Sequence, residues 1–282
     1  MHVPNELCEE IVRHIDSKTD LYNLLFTSRV FQREAHLAML TIVDMVRWIG
    51  RDKALSLQRL KQMFTFISQP DNLSLGRAVQ RLVYVPHVIE DEVLDIVIPQ
   101  MINLRHLQYE RNATDPIDQA PVAIHPSFLR CPCKLSSLAI HDMHINLVGC
   151  IPFLNMQPEI EDLGLSTSLP LEFSDKSVLS NVTKLSFIHM PPLSSLRAFL
   201  IDRTVIRMSL NSLSMLDFQD SNDFRHLRVL SCTYLGTFVA AQPVFQNVEV
   251  LFIHKVSNDQ FDHLIPFFVN GTHEVNRHQG FS

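Results

Sequence analysis

From about residue 79 onward one short pattern, aliphatic-x-x-Leu-x-apolar, returns eight times: Val79/Leu82/Tyr84, Leu104/Leu107/Tyr109, Leu135/Leu138/Ile140, Ile160/Leu163/Leu165, Val182/Leu185/Phe187, Val205/Met208/Leu210, Leu227/Leu230/Cys232 and Val248/Leu251/Ile253. The central anchors are separated by 25, 31, 25, 22, 23, 22 and 21 residues. In an extended strand, a Leu-x-apolar pair puts two side chains on one face and the residue between them on the other. A strand with a single apolar edge cannot bury that edge alone, so neighbouring units must complete one another's core. Between the anchors, residues 92–101, 194–201 and 260–268 carry helix-like apolar spacing, with Pro99 and Pro266 expected to cut two of them short. Strand then helix, repeated, predicts an α/β chain whose parallel sheet lies on a curved solenoid.

Composition removes several function classes. Glycine occurs 7 times in 282 residues, where average usage of about 7% gives roughly 20. Phosphate-cradling loops and dinucleotide folds need glycines where backbone approaches the ligand; neither Gly-x-Gly-x-x-Gly nor Gly-x-x-x-x-Gly-Lys occurs, nor a Gly-x-Ser-x-Gly elbow. A formal net charge of −6 without a basic tract argues against a phosphate-neutralising nucleic-acid binder. The chain shows no charged start followed by an apolar core, and no apolar run near the roughly 18 residues of a membrane span. It is expected to be neither secreted nor membrane-embedded, and to work in the cytoplasm, the nucleus or both. Five cysteines without framework spacing are expected to be reduced thiols. The sequons at Asn72, Asn112, Asn181 and Asn270 are then coincidental.

The first 36 residues have a different character. Leu7, Ile11 and Ile15 recur every fourth residue with Cys8 and Val12 beside them, which makes one face of a helix apolar. Pro4 suits the first helical position, Glu6, Glu9 and Glu10 lie toward the positive end of the helix dipole, and Arg13 and His14 lie toward the other. Thr19 or Asp20 is placed to cap a second helix carrying Leu21, Leu24, Leu25 and Phe31. Six or seven buried apolar side chains contribute roughly 1.5–3 kcal/mol each, against roughly 1–2 kcal/mol of backbone entropy per ordered residue. So small a unit needs surface from the rest of the chain, from another protein, or from both.

Val3-Pro4-Asn5-Glu6-Leu7 with Ile11 and Ile15 resembles the opening "Leu-Pro-x-Glu-aliphatic" helix of F-box proteins, and Asp20-Leu21-x-x-Leu24-x-x-x-Ser28-Arg29-x-Phe31 resembles that family's second and third helices. The resemblance covers about 36 residues. It implies docking to the Skp-family adaptor of a cullin-containing, SCF-type ubiquitin ligase through Val3, Pro4, Leu7, Ile11, Ile15, Leu21, Leu24 and Phe31. Val3 departs from the usual leucine; the lost methylene, worth roughly 1 kcal/mol, weakens that docking without abolishing it. Residues 79–256 resemble the leucine-rich repeats that commonly follow an F-box, since all but one of the anchor intervals fall in that family's 20–29-residue window. The version is divergent. The family's asparagine after the strand occurs only at Asn112, and Met143, Met190, Leu213, Leu235 and Val256 stand in its place elsewhere. A second register through Leu213/Leu216/Phe218 competes with the one given above.

The expected organisation is an F-box-like module at 1–40, an irregular first repeat at 41–78, repeats at 79–269 and a polar tail at 270–282. Within 41–78, residues 41–46 are β-branched and apolar, and Leu57, Leu60, Met63, Phe64 and Ile67 form a helical stripe ended by Pro70. Four X-Pro steps at Pro116, Pro121, Pro126 and Pro132 mark the 31-residue interval as a loop.

The repeat directs His106, Gln108 and Glu110, then Lys184 and Ser186, Arg207 and Ser209, Val229 and Ser231, and finally Val250, Phe252 and His254 outward. His106, Gln108, Glu110, Lys184, Arg207, Val250, Phe252 and His254 are the candidate target contacts. Val250 and Phe252 stand out as apolar groups on a polar face. Cys131-x-Cys133 followed by His141-x-x-His144 has the ligand types of a zinc site, but a one-residue gap between the cysteines is tighter than zinc spacing. Ordinary loop thiols are the expected reading, with no metal or cofactor. The acidic groups Glu90/Asp91/Glu92 and Glu159/Glu161/Asp162 are expected at helix and strand starts as solvated charge. Two functions stay open: a non-catalytic receptor that carries a protein substrate to a ubiquitin ligase, and a repeat scaffold whose head is only structural.

Overall fold

The computed structural model describes residues 5–15, 20–21, 23–24, 30–48, 53–110, 124–141, 147–166, 177–189, 193–201, 203–212, 225–234 and 247–255. They belong to two compact units, one drawn from Met1–Asp115 and Ile124–Leu135, the other from Pro116–Ala123 and Ser136–Ser282. The chain is α/β, and its strands pair in parallel in both units.

The first unit opens with helix α1 (Asn5–Arg13) and helix α2 (Gln32–Leu40), followed by β1 (Ile42–Asp44), the short α3 (Met45–Trp48) and the long α4 (Lys53–Ser68). A 3-10 segment at Pro70–Ala78 leads to β2 (Arg81–Tyr84). Helix α5 (Asp91–Val97) passes into a 3-10 turn at Ile98–Gln100, where Pro99 ends the α geometry, and β3 (His106–Glu110) and a 3-10 turn at Pro126–Arg130 complete the unit. In α4, Leu60, Phe64 and Ile67 are buried, so the apolar stripe read from spacing is the face turned to the core. Tyr84 meets Tyr109 at 5.6 Å and Phe128 edge-on at 5.5 Å between ring centroids, filling the space under β2 and β3.

The second unit carries β4 (Ser137–His141), α6 (Leu147–Asn155), β5 (Asp162–Leu165), β6 (Lys184–Phe187), α7 (Leu193–Ile201), β7 (Arg207–Ser212), β8 (Val229–Tyr234) and β9 (Val250–Lys255). Its strands pair in chain order, and the anchors stand directly opposite one another: Leu138 with Leu163, Leu163 with Leu185, Leu185 with Met208, Met208 with Leu230, and Leu230 with Leu251. Leu82 stands opposite Leu107 in the first unit in the same way. The aliphatic residue three places before each anchor is buried at all eight positions, from Val79 to Val248.

One carbonyl defines the repeat. Two residues before an anchor, it accepts N–H groups from two successive residues of the next repeat: Gln80 from Arg105 and His106, Ser136 from Glu161 and Asp162, Glu161 from Thr183 and Lys184, Thr183 from Ile206 and Arg207, Ile206 from Arg228 and Val229, and Arg228 from Glu249 and Val250. Thr41 does the same for Gln80 and Arg81. This places Leu40/Val43/Met45, all buried, in the same pattern, with Val43 opposite Leu82. The irregular first repeat is thus a full strand unit.

An asparagine ladder exists, but before the strand. Asn103, Asn181 and Asn247, each four residues ahead of an anchor, donate through Nδ2 to the carbonyls of Arg77, Pro158 and Arg225, each five residues ahead of the preceding anchor, at 2.8, 2.8 and 3.1 Å. Asn112 and the competing register at 213–218 lie outside the described residues.

Several local expectations change. Phe31 does not continue the second helix; it sits in a turn and is the N-cap residue of α2. The loop expected around His125-Pro126 contains a 3-10 turn, because Pro126 occupies its first position and the His125 ring accepts the Ser127 N–H. Helix α6 was concealed by Gly149 and by Pro152 in its interior.

Candidate functional site

Two surfaces carry the residues singled out above. The first is the head. Helix α1 has two apolar rows, one made by Leu7 and Ile11 and the other, rotated by one residue, by Cys8 and Val12. The second row is buried, with Cys8 1% and Val12 3% exposed, while Leu7 is 51% and Ile11 41% exposed. Val12 forms a small core with Leu21 and Ala35, against which Ile15, Leu24, Phe31, Ala38 and Met39 pack. Leu21 is therefore a core residue, while Ile15, Leu24 and Phe31 are half-buried against that core. Val3 and Pro4 lie outside the described residues. Arg13 closes the charged side of the helix by pairing with Glu9 at 2.7 Å and Glu10 at 3.1 Å, and His14 reaches Glu10 at 3.2 Å. Val30 is also exposed.

The head joins the first repeat without interruption. Thr41 Oγ1 donates to the Leu37 carbonyl, and the Thr41 carbonyl holds the start of β2. His36, half-buried on α2, lies 6.1 Å from the Phe66 ring of α4, and desolvation lowers its pKa.

The second surface is the outward face of the strands. In the first unit His106 is exposed and Gln108 and Glu110 are half-buried; Arg81 Nη2, which sequence reasoning did not single out, donates to Gln108 at 3.4 Å. In the second unit Lys184 and Arg207 are exposed and directly opposite each other. Beside them runs a row of small residues, Ala139, Gly164, Ser186, Ser209 and Ser231, in mutual register. A methyl group added at Gly164 would lie 3.0 Å from Ser186 Oγ and 3.2 Å from Ala139 Cβ. The signal for this row was present in the repeat as the residue after each anchor. Val250 and Phe252 are half-buried rather than open, and the side chain of His254 lies outside the described residues.

The remaining constellations resolve into structural contacts. Cys131 and Cys133 are buried, and Cys131 Sγ lies 3.6 Å from the Met101 carbonyl. A hydrogen bond from the Cys133 thiol lowers the Cys131 pKa. His141 is on β4 and half-exposed, His144 is outside the described residues, and among the described residues no three His, Cys, Asp or Glu side chains are grouped to hold a metal ion. Glu90 precedes α5 and pairs with Lys61 at 2.6 Å, and that hydrogen bond lowers its pKa. Asp95 accepts hydrogen bonds from Ser127 and Arg130, pinning the 3-10 turn to α5. Glu159 and Glu161 line an open groove with Ser136, Asn181 and Thr183 at the entry to β4–β6.

Among the described residues no helix is long and apolar enough to cross a membrane. No protein-family model matches the chain, and no curated protein is significantly similar to it in sequence.

Proposed function

We propose that this chain is the substrate-recognition subunit of an SCF-type ubiquitin ligase, with an F-box-like head that docks on a Skp-family adaptor and a leucine-rich-repeat solenoid that binds a target protein. The observation that carries the proposal is the division of labour on α1: Cys8 and Val12 go into the head core while Leu7 and Ile11 remain on its surface. A helix of nine residues with one apolar row spent on its own core and a second row open to solvent is suited to a partner helix or groove. Burying the open half of each side chain against an adaptor is worth about 1 kcal/mol apiece. The repeated in–out alternation supports the second half of the proposal, since it turns a row of mostly polar side chains outward on the strands. The receptor performs no chemistry of its own; it raises the effective concentration of the target beside a separate catalytic subunit in the cytoplasm or nucleus.

Co-purification tests this reading. The full chain is expected to recover a Skp-family adaptor and, through it, a cullin, and Leu7→Glu with Ile11→Glu is expected to lose both. Failure of the intact chain to recover the adaptor contradicts it. The continuity of the head with the first repeat, through Thr41 and the Leu40/Val43/Met45 pattern, favours a second reading in which the head only caps a non-catalytic scaffold. The same experiment separates the two.

A further inference from the structure

Lys184 and Arg207 occupy directly opposed positions on β6 and β7 and point to the outward face. Like charges placed opposite each other on neighbouring strands are destabilising. The cation just ahead of the next strand, β8, is paired: Arg228 contacts Glu249 at 3.5 Å and donates to the Asn247 carbonyl at 3.1 Å. Among the described residues, neither the Lys184 ammonium nor the Arg207 guanidinium has an ion pair or side-chain hydrogen bond. The nearest acid in the row, Asp162, stands opposite Lys184 on β5, outside ion-pair distance, and leaves one positive charge in excess. On the next rung Ser186 and Ser209, also opposite each other, present hydroxyls, and Gly164 keeps the floor low on the β5 side. On the β8 and β9 side the same row continues with Val229 and Val250.

The geometry points to Lys184 and Arg207 as the recognition site for a carboxylate side chain on an extended segment of the target protein. This rests on the receptor reading and specifies its partner chemistry. Arg207 offers a planar fork and Lys184 a compact charge, while Ser186 and Ser209 donate hydrogen bonds from below. A single carboxylate matches the one excess charge; a doubly charged phosphate would set its second charge against Asp162. Strands lie about 4.8 Å apart and an extended peptide advances about 3.3 Å per residue. A segment crossing the strands from Arg207 therefore reaches Val250 about three residues after the acid. The expected target motif is an acidic residue followed about three positions later by an apolar one.

Degenerate peptide pools with one position fixed as Glu, Gln or phosphoserine and Leu fixed three residues later test this with the full-length protein. The Glu pool is expected to retain at least fivefold more protein than the Gln pool, with the difference shrinking as salt rises. Lys184→Glu with Arg207→Glu is expected to bring the Glu and Gln pools within twofold, while Arg225→Glu, an exposed cation off this face, preserves the preference. Equal binding of the Glu and Gln pools, or a preference untouched by the double substitution, overturns the assignment. So does a phosphoserine pool that binds fivefold better than Glu. Unchanged thermal unfolding of the double variant shows that its loss is local. Adaptor recovery is read in parallel: a lost acid preference with adaptor still bound removes this inference alone, and an acid preference without adaptor removes only the ligase assignment.

Discussion

Arg203 shows at the level of one residue what the repeats demand of their connections. Its side chain is buried, yet the guanidinium donates to the carbonyls of Phe199, Val178 and Leu179 at 2.7, 2.6 and 3.3 Å and lies 4.0 Å from the centre of the Phe199 ring. Leu179 has φ of 59°, a backbone region that costs a non-glycine residue about 1 kcal/mol or more. The arginine thus fixes the end of α7 to a strained turn. Arg203→Met leaves these carbonyls unsatisfied in a buried site and is expected to cost about 3 kcal/mol in a denaturant titration. Arg203→Lys should fall between, because one ammonium cannot reproduce the fork. His36 makes a prediction of the other kind. Burial lowers its pKa, so the unfolded chain takes up a proton near pH 6.5 that the folded chain resists. Its contribution is present above that pH and is lost as pH falls, and His36→Gln should flatten the decline in unfolding midpoint between pH 7.5 and 5.5.

At the level of elements, strand entry is held by side chains that reach back one repeat. Asn103→Ala, Asn181→Ala and Asn247→Ala each remove one bond to a carbonyl of the preceding unit and are expected to cost about 1 kcal/mol by thermal or denaturant unfolding. Gly164→Val should cost more, since its Cβ alone already meets Ser186 and Ala139. The strands were legible because two constraints coincide, the period of two within a strand and the buried aliphatic residue three places earlier. The strand at Ile42–Asp44 obeys both, but it stands 39 residues before the next anchor because the long α4 intervenes, outside the interval expected of a repeat. Helix α6 was not legible, since Gly149 and Pro152 argue locally against a helix that packing of Cys150, Phe153 and Leu154 nevertheless sustains. On α1 the spacing marked both apolar rows and could not say which is buried. That choice is tertiary: Leu21 and Ala35 meet Val12, while Leu7 stays exposed.

At the level of the molecule, the proposed receptor role is compatible with a chain that has few glycines, a net negative charge and free thiols that are all buried among the described residues. A receptor of this kind needs binding surfaces rather than a reactive centre, and its two sets of exposed residues, on α1 and on the strands, are separable by mutation. The measurement that bears most directly on the account is the affinity of purified full-length protein for a Skp-family adaptor, with and without Leu7→Glu and Ile11→Glu. The account predicts a Kd below about 1 µM, equivalent to about 8 kcal/mol. It also predicts a loss of at least 30-fold in the double variant, from lost apolar burial and buried carboxylates together, with folding stability changed by no more than about 0.5 kcal/mol because both positions are on the surface. No measurable binding by the intact chain, or equal affinity in the variant, would contradict it.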